Sequence, residues 1–444
     1  MSEDAGSGPV AAVAKAAGAA SGVSRAGLIG ISVGVVAAGA AAGVAIERLT
    51  VGRAMRRRAR AELDAEAPYG SLRGRPRVVP APDGTELYVE LDGVAWPGAP
   101  APASPAAPPQ DAAGRRGWFA RRRGEEAGAD AEGPLDRAGS RQGPGADAPR
   151  GREPLTVVFC HGYCLNQDSW HFQRAALRED VRLVFWDQRS HGRSERSRSY
   201  LAGEPASIDQ LGGDLKAVID AVVPTGPIVL VGHSMGGMTV MALADQHPEL
   251  FRERVAGVAL IGTLAGDWDA VTLGLPALGA KLFKRAAPGV MKLLGRQVEL
   301  VEATRRFGAD FAAVFYRKFS FGGRDVDPGV VRFAEQLLDA TPIDVVAEFY
   351  PVFGAHEKTA ALATLSGIPT LVLAGTKDLL TPPGHSAAIA ERLPGAELEL
   401  VEDAGHLVML ERPDLVDRRL AALLRRAAAF RDAAPVSEPA EPQD

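Results

Sequence analysis

The residues Gly232-His233-Ser234-Met235-Gly236-Gly237 place a hydroxyl between glycines, directly after the apolar run Ile228–Val231 and before a helix-like stretch, Met238–Gln246. A serine hydroxyl is a poor nucleophile until a base takes its proton, and the oxyanion it creates needs donors. Such a residue must therefore stand clear of the sheet on a sharp strand-to-helix turn. Gly232 and Gly236 permit that turn, because a side chain two positions before or after the serine would collide with the neighbouring strand and helix. The setting predicts nucleophilic chemistry at Ser234. The bare spacing alone also fits a tight turn with an incidental serine.

The chemistry requires a histidine base and a carboxylate that fixes its tautomer and supports the imidazolium. Eight histidines compete for the first role. His406 is preferred, because Glu402-Asp-Ala-Gly-His-Leu-Val408 follows the last expected strand and precedes a C-terminal helix. His385 follows Pro382-Pro383 and precedes a helix, His247 precedes Pro248 at a helix end, and His171 and His356 lie in helical surroundings. None of these has a strand-end setting. Asp378 follows the run Thr370–Ala374 and is the expected orienter of His406, with Asp267 or Asp269 one strand earlier as the alternative. The oxyanion donors are expected to be the backbone N–H groups of Met235 and of Tyr163, the latter in His161-Gly162-Tyr163, with His161 read as a structural loop residue.

Positioning these groups falls to a series of short apolar runs: Leu155–Phe159, Val181–Trp186, Ile228–Val231, Val255–Ile261, Thr370–Ala374 and Glu397–Val401. They alternate with helical stretches such as Leu211–Val222, as parallel strands buried on both faces do. Arg77–Val79 and Glu86–Leu91 flank the turn cluster Pro80-Ala-Pro-Asp-Gly84 and read as a β-hairpin too small to fold alone, hence part of the same sheet. The expected fold class is α/β, a mostly parallel eight-stranded sheet with helices on both faces, in one domain over 76–430. Residues 95–153 are rich in Pro, Ala, Gly, Arg and acid without aliphatic periodicity, so a disordered insertion is expected there. Residues 269–367 have helical character and are expected to form a cap over the carboxyl ends of the strands. Phe283, Phe311, Phe315, Phe349 and Phe353 there are candidate pocket liners, although residues at helical spacing also serve as cap core.

Ala26–Ile46 is 21 residues without a charge, long enough to span a bilayer although its glycines weaken it. Arg48, Arg53, Arg56, Arg57, Arg58 and Arg60 follow it, whereas only Lys15 and Arg25 precede it. The expectation is a tail (1–25), an N-terminal single membrane helix (26–46) and a basic juxtamembrane segment (47–75), with the catalytic part cytoplasmic at the cell membrane. A cleaved export signal competes, but the long leader and the basic stretch speak against it. Residues 431–444 are expected to be a disordered tail. Gly30/Gly34 and Gly39/Gly43 permit close helix pairing but set no oligomeric state. A net charge of −5 gives no global basic field, so nucleic acid is not an expected partner. Cys160 and Cys164, four apart at a strand end, suit buried thiols better than a disulfide framework or a metal site.

Five segments together resemble the α/β-hydrolase fold superfamily, in its serine esterase, lipase and cofactor-free haloperoxidase-like branch. They are His161-Gly-Tyr163 with Trp170, Asp187-Gln-Arg-Ser-His-Gly-Arg-Ser194, the Ser234 elbow, Gly375-Thr-Lys-Asp378, and Ala404-Gly-His406 with Glu411-Arg-Pro413. The resemblance covers 77–429 and implies Ser234, Asp378 and His406 as a catalytic triad. Ser190 stands where the family usually has glycine, in a loop that is structural in relatives. Similar haloalkane dehalogenases and epoxide hydrolases carry aspartate at the elbow, so Ser234 argues against both. What is implied is cleavage of a small-molecule carboxylic ester, apolar or lipid-like, through an acyl-serine, with no cofactor and no metal. Cofactor-free perhydrolysis, carbon–carbon bond hydrolysis with the same triad, and a ligand-binding homologue without turnover are the alternatives.

Overall fold

Short strands, uninterrupted apolar runs at the centre and mixed with charged residues at the edges, pair into one eight-stranded sheet in the computed structural model, which describes residues 68–96, 153–296 and 317–433. The strands are β1 (Arg75–Pro80), β2 (Glu86–Gly93), β3 (Thr156–Cys160), β4 (Arg182–Trp186), β5 (Ile228–His233), β6 (Val255–Ile261), β7 (Thr370–Gly375) and β8 (Glu397–Val401). Their order is β1-β2-β4-β3-β5-β6-β7-β8. Strands β3 to β8 pair in parallel. β2 runs antiparallel to both β1 and β4, so the hairpin forms the edge of the main sheet, with Val89 opposite Trp186. The expected membrane helix at 26–46, the juxtamembrane segment up to residue 67, residues 97–152 and residues 434–444 lie outside the described residues. Among the described residues, no helix is long and apolar enough to cross a membrane.

Every residue of β3, β5, β6 and β7 is buried, which requires cover on both faces. The helices are α1 (His171–Leu177), α2 (Arg198–Leu201), α3 (Ile208–Val222), α4 (Met235–Gln246), α5 (Pro248–Glu253), α6 (Ala277–Arg296), α7 (Pro328–Asp339), α8 (Ile343–Phe349), α9 (Val352–Ala355), α10 (Pro383–Glu391), α11 (Val408–Glu411) and α12 (Pro413–Ala433), of which α3, α4, α5, α10 and α12 lie directly against the strands. Alternate residues of a strand point to opposite faces. Val158 and Cys160 of β3 accordingly join Leu215, Val218 and Ile219 of α3 in one core, while Val157 and Phe159 join a second core built on α12. The α12 contribution, Val416, Leu420, Leu423 and Ala427, repeats at the helical period, and the helix runs to Ala433, beyond the expected boundary at 430. Each fully buried aliphatic side chain contributes about 1.5–3 kcal/mol, so the sheet is a stiff platform for the loops at its ends.

Strand order reverses at β3, with β4 on one side and β5 on the other. The loops leaving β3 and β5 therefore diverge and open a crevice at the carboxyl edge. Between β6 and β7 the chain builds α6 to α9, and Val345, Phe349, Val352 and Phe353 pack with Met235, Met238 and Leu264. Phe349 and Phe353 are thus core of the contact between these helices and α4. Phe283 is exposed, and Phe311 and Phe315 lie outside the described residues. Cys160 is a buried thiol pushed up to about 12 by burial, and Cys164, which likewise forms no disulfide, is half-buried.

Candidate active site

Ser234 alone forms the turn between β5 and α4, at φ 52° and ψ −119°. A non-glycine residue in such a region costs about 1–3 kcal/mol and persists only where its surroundings hold it there. Its N–H donates to Ile261 O at 2.9 Å, and its carbonyl accepts from Gly237 N at 2.9 Å and from the Thr263 hydroxyl at 2.8 Å. A Cβ on Gly232 would stand 2.5 Å from the Gly236 oxygen, and one on Gly236 only 2.1 Å from the Cys160 oxygen. Glycine at both positions lets the elbow press its backbone onto the end of β3.

The loop after β3 is set by a buried imidazole. His161 Nε2 accepts from Gln188 N at 2.9 Å, so Nδ1 carries the proton and donates to Gly162 O at 2.8 Å. Burial pushes His161 down to about 3 and keeps it neutral. With the Gly162 oxygen held by His161 and by Leu165 N, the trans peptide aims the Tyr163 N–H the opposite way. A Cβ on Gly162 would lie 3.2 Å from Ser234 Cβ, so this peptide passes directly beside the serine. Neither the Tyr163 N–H nor the Met235 N–H has a protein acceptor among the described residues. The Tyr163 side chain is tied to α8, its hydroxyl donating to Val346 O and its ring edge-on to Phe353 at 5.1 Å.

On the opposite side, Asp378 follows β7 and His406 follows β8, with Nδ1 of the imidazole 2.8 Å from Asp378 Oδ2. Neither Asp267 nor Asp269 bonds His406. Asp378 Oδ1 accepts from Leu380 N at 2.8 Å and Thr381 N at 2.9 Å, and Oδ2 also accepts from the Thr381 hydroxyl at 2.8 Å. The same hydroxyl lies 3.2 Å from His406 Nδ1. A carboxylate fixed this way holds the proton of a neutral imidazole on Nδ1 and leaves the lone pair on Nε2. Among the described residues Nε2 has no protein partner, and no hydrogen bond joins it to the Ser234 hydroxyl. Serine turn and histidine loop are instead linked through His233, whose Nε2–H donates to His406 O at 2.9 Å, the two rings lying 4.7 Å apart. Burial holds His233 well below the usual histidine range. Glu411 fixes the other end of the loop, accepting from Gly405 N at 2.8 Å, Gly322 N at 3.1 Å and Gly323 N at 2.6 Å.

Three of the other candidate bases serve elsewhere, and His385, in the first turn of α10, is within electrostatic reach of Asp378 and Asp267. His171 accepts from Gly70 N, His247 pairs with Glu249, and His356 Nε2 donates to Leu264 O. Thr381, His233 and Glu411 escaped assignment from sequence. Glu411 belongs to a segment that carries the resemblance, and His233 adjoins the serine, but Thr381 has no signal of its own. Ser190, the departure from family pattern, sits at φ 65° and joins the sheet to the cap, donating to Glu348 Oε1 at 3.0 Å and accepting from Ser197 N at 3.0 Å. Arg196 bonds the other oxygen of Glu348 at 3.0 Å and also Asp344.

A family model described as alpha/beta hydrolase fold matches residues 156–413. The chain is 27% identical over 277 residues to the dihydrolipoyllysine-residue acetyltransferase component of the acetoin cleaving system of Pseudomonas putida, covering 62% of this chain and 64% of that protein, less than two thirds of its length. It is also 27% identical over 270 residues to an sn-1-specific diacylglycerol lipase of Mus musculus, covering 59% of this chain and 78% of the lipase. Among solved structures, an esterase from Thermogutta terrifontis superimposes with a TM-score of 0.52 at 23% identity over 79% of this chain and 98% of the esterase, a likeness of fold.

Proposed function

The chain belongs to the alpha/beta hydrolase fold family, and from that premise we propose that it is a serine hydrolase cleaving carboxylic esters through an acyl-serine intermediate. The observation that carries this is the Asp378–His406 pair at 2.8 Å, joined through His233 to a serine held at φ 52°. In the proposed reaction Ser234 Oγ attacks the ester carbonyl while His406 Nε2 takes the hydroxyl proton, with Asp378 supporting the imidazolium. The oxyanion receives the Met235 and Tyr163 N–H groups, each such donor being worth about 10²–10³ in rate. Collapse breaks the bond to the leaving oxygen, which takes the proton from His406. Water then repeats the sequence, releasing the acid and restoring Ser234.

Similarity to a diacylglycerol lipase supports an apolar or lipid-like ester as the substrate class. The uncharged segment 26–46 and the arginines after it support anchoring at the cell membrane with the catalytic domain on the cytoplasmic side. Labelling by a fluorophosphonate probe is expected for the wild type and absent in Ser234→Ala and His406→Ala, with ester turnover lowered about 10⁴-fold or more. Absent labelling of folded wild type would leave a ligand-binding protein. A series of p-nitrophenyl esters of graded chain length, beside thioester, amide and peracid substrates, tests the class, and a flat chain-length profile rejects the lipid-like ester. Digestion of the domain by protease added outside intact cells would reverse the proposed orientation.

A further inference from the structure

Helix α6 is built inside out. Among its described side chains the buried ones are small, Ala280 and Ala287 being 5% and 4% exposed, while Leu278 is 72%, Leu282 61% and Val290 49% exposed. Leu278, Leu282, Ala286 and Val290 repeat every four residues and so form one stripe along the helix. Lys281 and Arg285, both exposed, run along its edge at the same spacing. The helix sequence carries Lys281, Lys284, Arg285, Lys292 and Arg296 and no acidic residue. A water-facing helix ordinarily buries its large aliphatic side chains, and here that free energy is unrealised. The charge it carries excludes spanning a bilayer, whereas an apolar stripe edged by lysine and arginine suits a helix lying in the interfacial plane. Because the charge is all of one sign, it selects an anionic surface.

The helix also connects to the chemistry. Lys284 Nζ donates to Trp268 O and to Asp269 O, the Trp268 ring stacks on Phe353 at 5.4 Å, and Phe353 meets Tyr163 of the oxyanion loop. We propose that α6 is an interfacial helix that lays the cap on an anionic phospholipid surface and brings an apolar ester to Ser234 from the lipid side. Delivery to Ser234 presupposes the serine-hydrolase reading above; attachment to lipid does not.

The test uses the full chain in mixed micelles of a neutral detergent with phosphatidylglycerol or with phosphatidylcholine. Two double variants are compared with wild type, Leu278→Asp with Leu282→Asp, and Lys281→Glu with Arg285→Glu. Hydrogen exchange over α6 is expected to slow in phosphatidylglycerol and not in phosphatidylcholine. A long-chain ester should turn over about thirtyfold faster in the anionic micelles, the enrichment that two basic side chains near such a surface support. Both variants should bring that ratio to about twofold or less while keeping wild-type melting and wild-type turnover of a water-soluble acetate ester. Equal exchange in the two lipids, or a lipid preference that survives both variants, overturns the proposal, as does an α6 already protected without lipid, which would mean that the chain itself covers the stripe. Anionic-lipid protection in a wild type that hydrolyses neither ester supports the surface and overturns the hydrolase reading instead.

Discussion

Ser234 sits in a backbone conformation that costs free energy, and the groups that hold it there are as much part of the site as the hydroxyl. The same is true of His406, the proposed base. Thr381 donates its hydroxyl to the carboxylate oxygen that accepts from His406, and its N–H donates to the other oxygen. Thr381→Val keeps the shape and the N–H but removes one donor from a buried carboxylate, worth about 1.5–3 kcal/mol for a hydrogen bond to a charged group. The expected result is kcat lowered on the order of tenfold with KM little changed, and recovery in Thr381→Ser. Wild-type kcat in the valine variant would show the hydroxyl to be idle. At this scale the sequence exposed Ser234, Asp378 and His406, because each follows a strand end and strands are visible as apolar runs. Thr381 gains its role only when two distant loops meet, and nothing in local sequence records that meeting.

Elements were legible where burial was two-sided. Continuous Val, Leu and Ile runs marked the central strands, covered on both faces, while the turn cluster marked the hairpin and β8 showed only a mixed pattern; all eight stand within two residues of the sequence reading. The cap was less legible, because helical periodicity shows that a helix has two faces without showing what each one meets. Ser190 illustrates this. From sequence it is one glycine lost from a structural loop, while in the fold it is one of the bonds, with Arg196, that hold α8 through Glu348. The Glu348 side chain is fully buried, and burial raises its carboxyl to about 7, against the pull of Arg196 and Ser190 and with a further push from Asp344. A raised folded value favours the neutral acid. Its contribution to cap docking is therefore greatest below the ordinary glutamate range and is lost as pH rises through about 7. Hydrogen-exchange protection of α8, corrected for intrinsic rates, should fall between about pH 5 and pH 8, and Glu348→Gln should flatten that dependence. An unchanged slope in the variant would assign the titration elsewhere.

For the whole molecule, the hairpin at 75–93 shows what sequence can settle about topology. Two strands too small to fold alone must join some sheet, and they pair with β4 although 59 residues separate Gly93 from Glu153. The histidine inventory shows what it cannot settle. Eight imidazoles compete from sequence alone, yet burial drives His161 to about 3, His191 and His356 to about 4, and His233 well below the usual range. These four are neutral structural donors, and each must be charged when the protein is acidified. A lowered folded value means stability that is complete above the ordinary histidine range near 6.5 and is lost as pH falls toward about 4. The raised carboxyls of Glu348 and Asp417, both about 7, run the other way over part of that window, so the bare melting curve mixes opposing contributions. Comparing a variant with wild type isolates one of them. His356 Nε2 donates to Leu264 O at 3.1 Å, and Gln in its place can keep a donor there without titrating. His356→Gln should melt at or below the wild-type temperature at pH 7 and gain on wild type as pH falls to about 4.5, by a swing on the order of 5 °C. A difference between the two proteins that stays constant across that range would mean that His356 is not buried as a neutral ring.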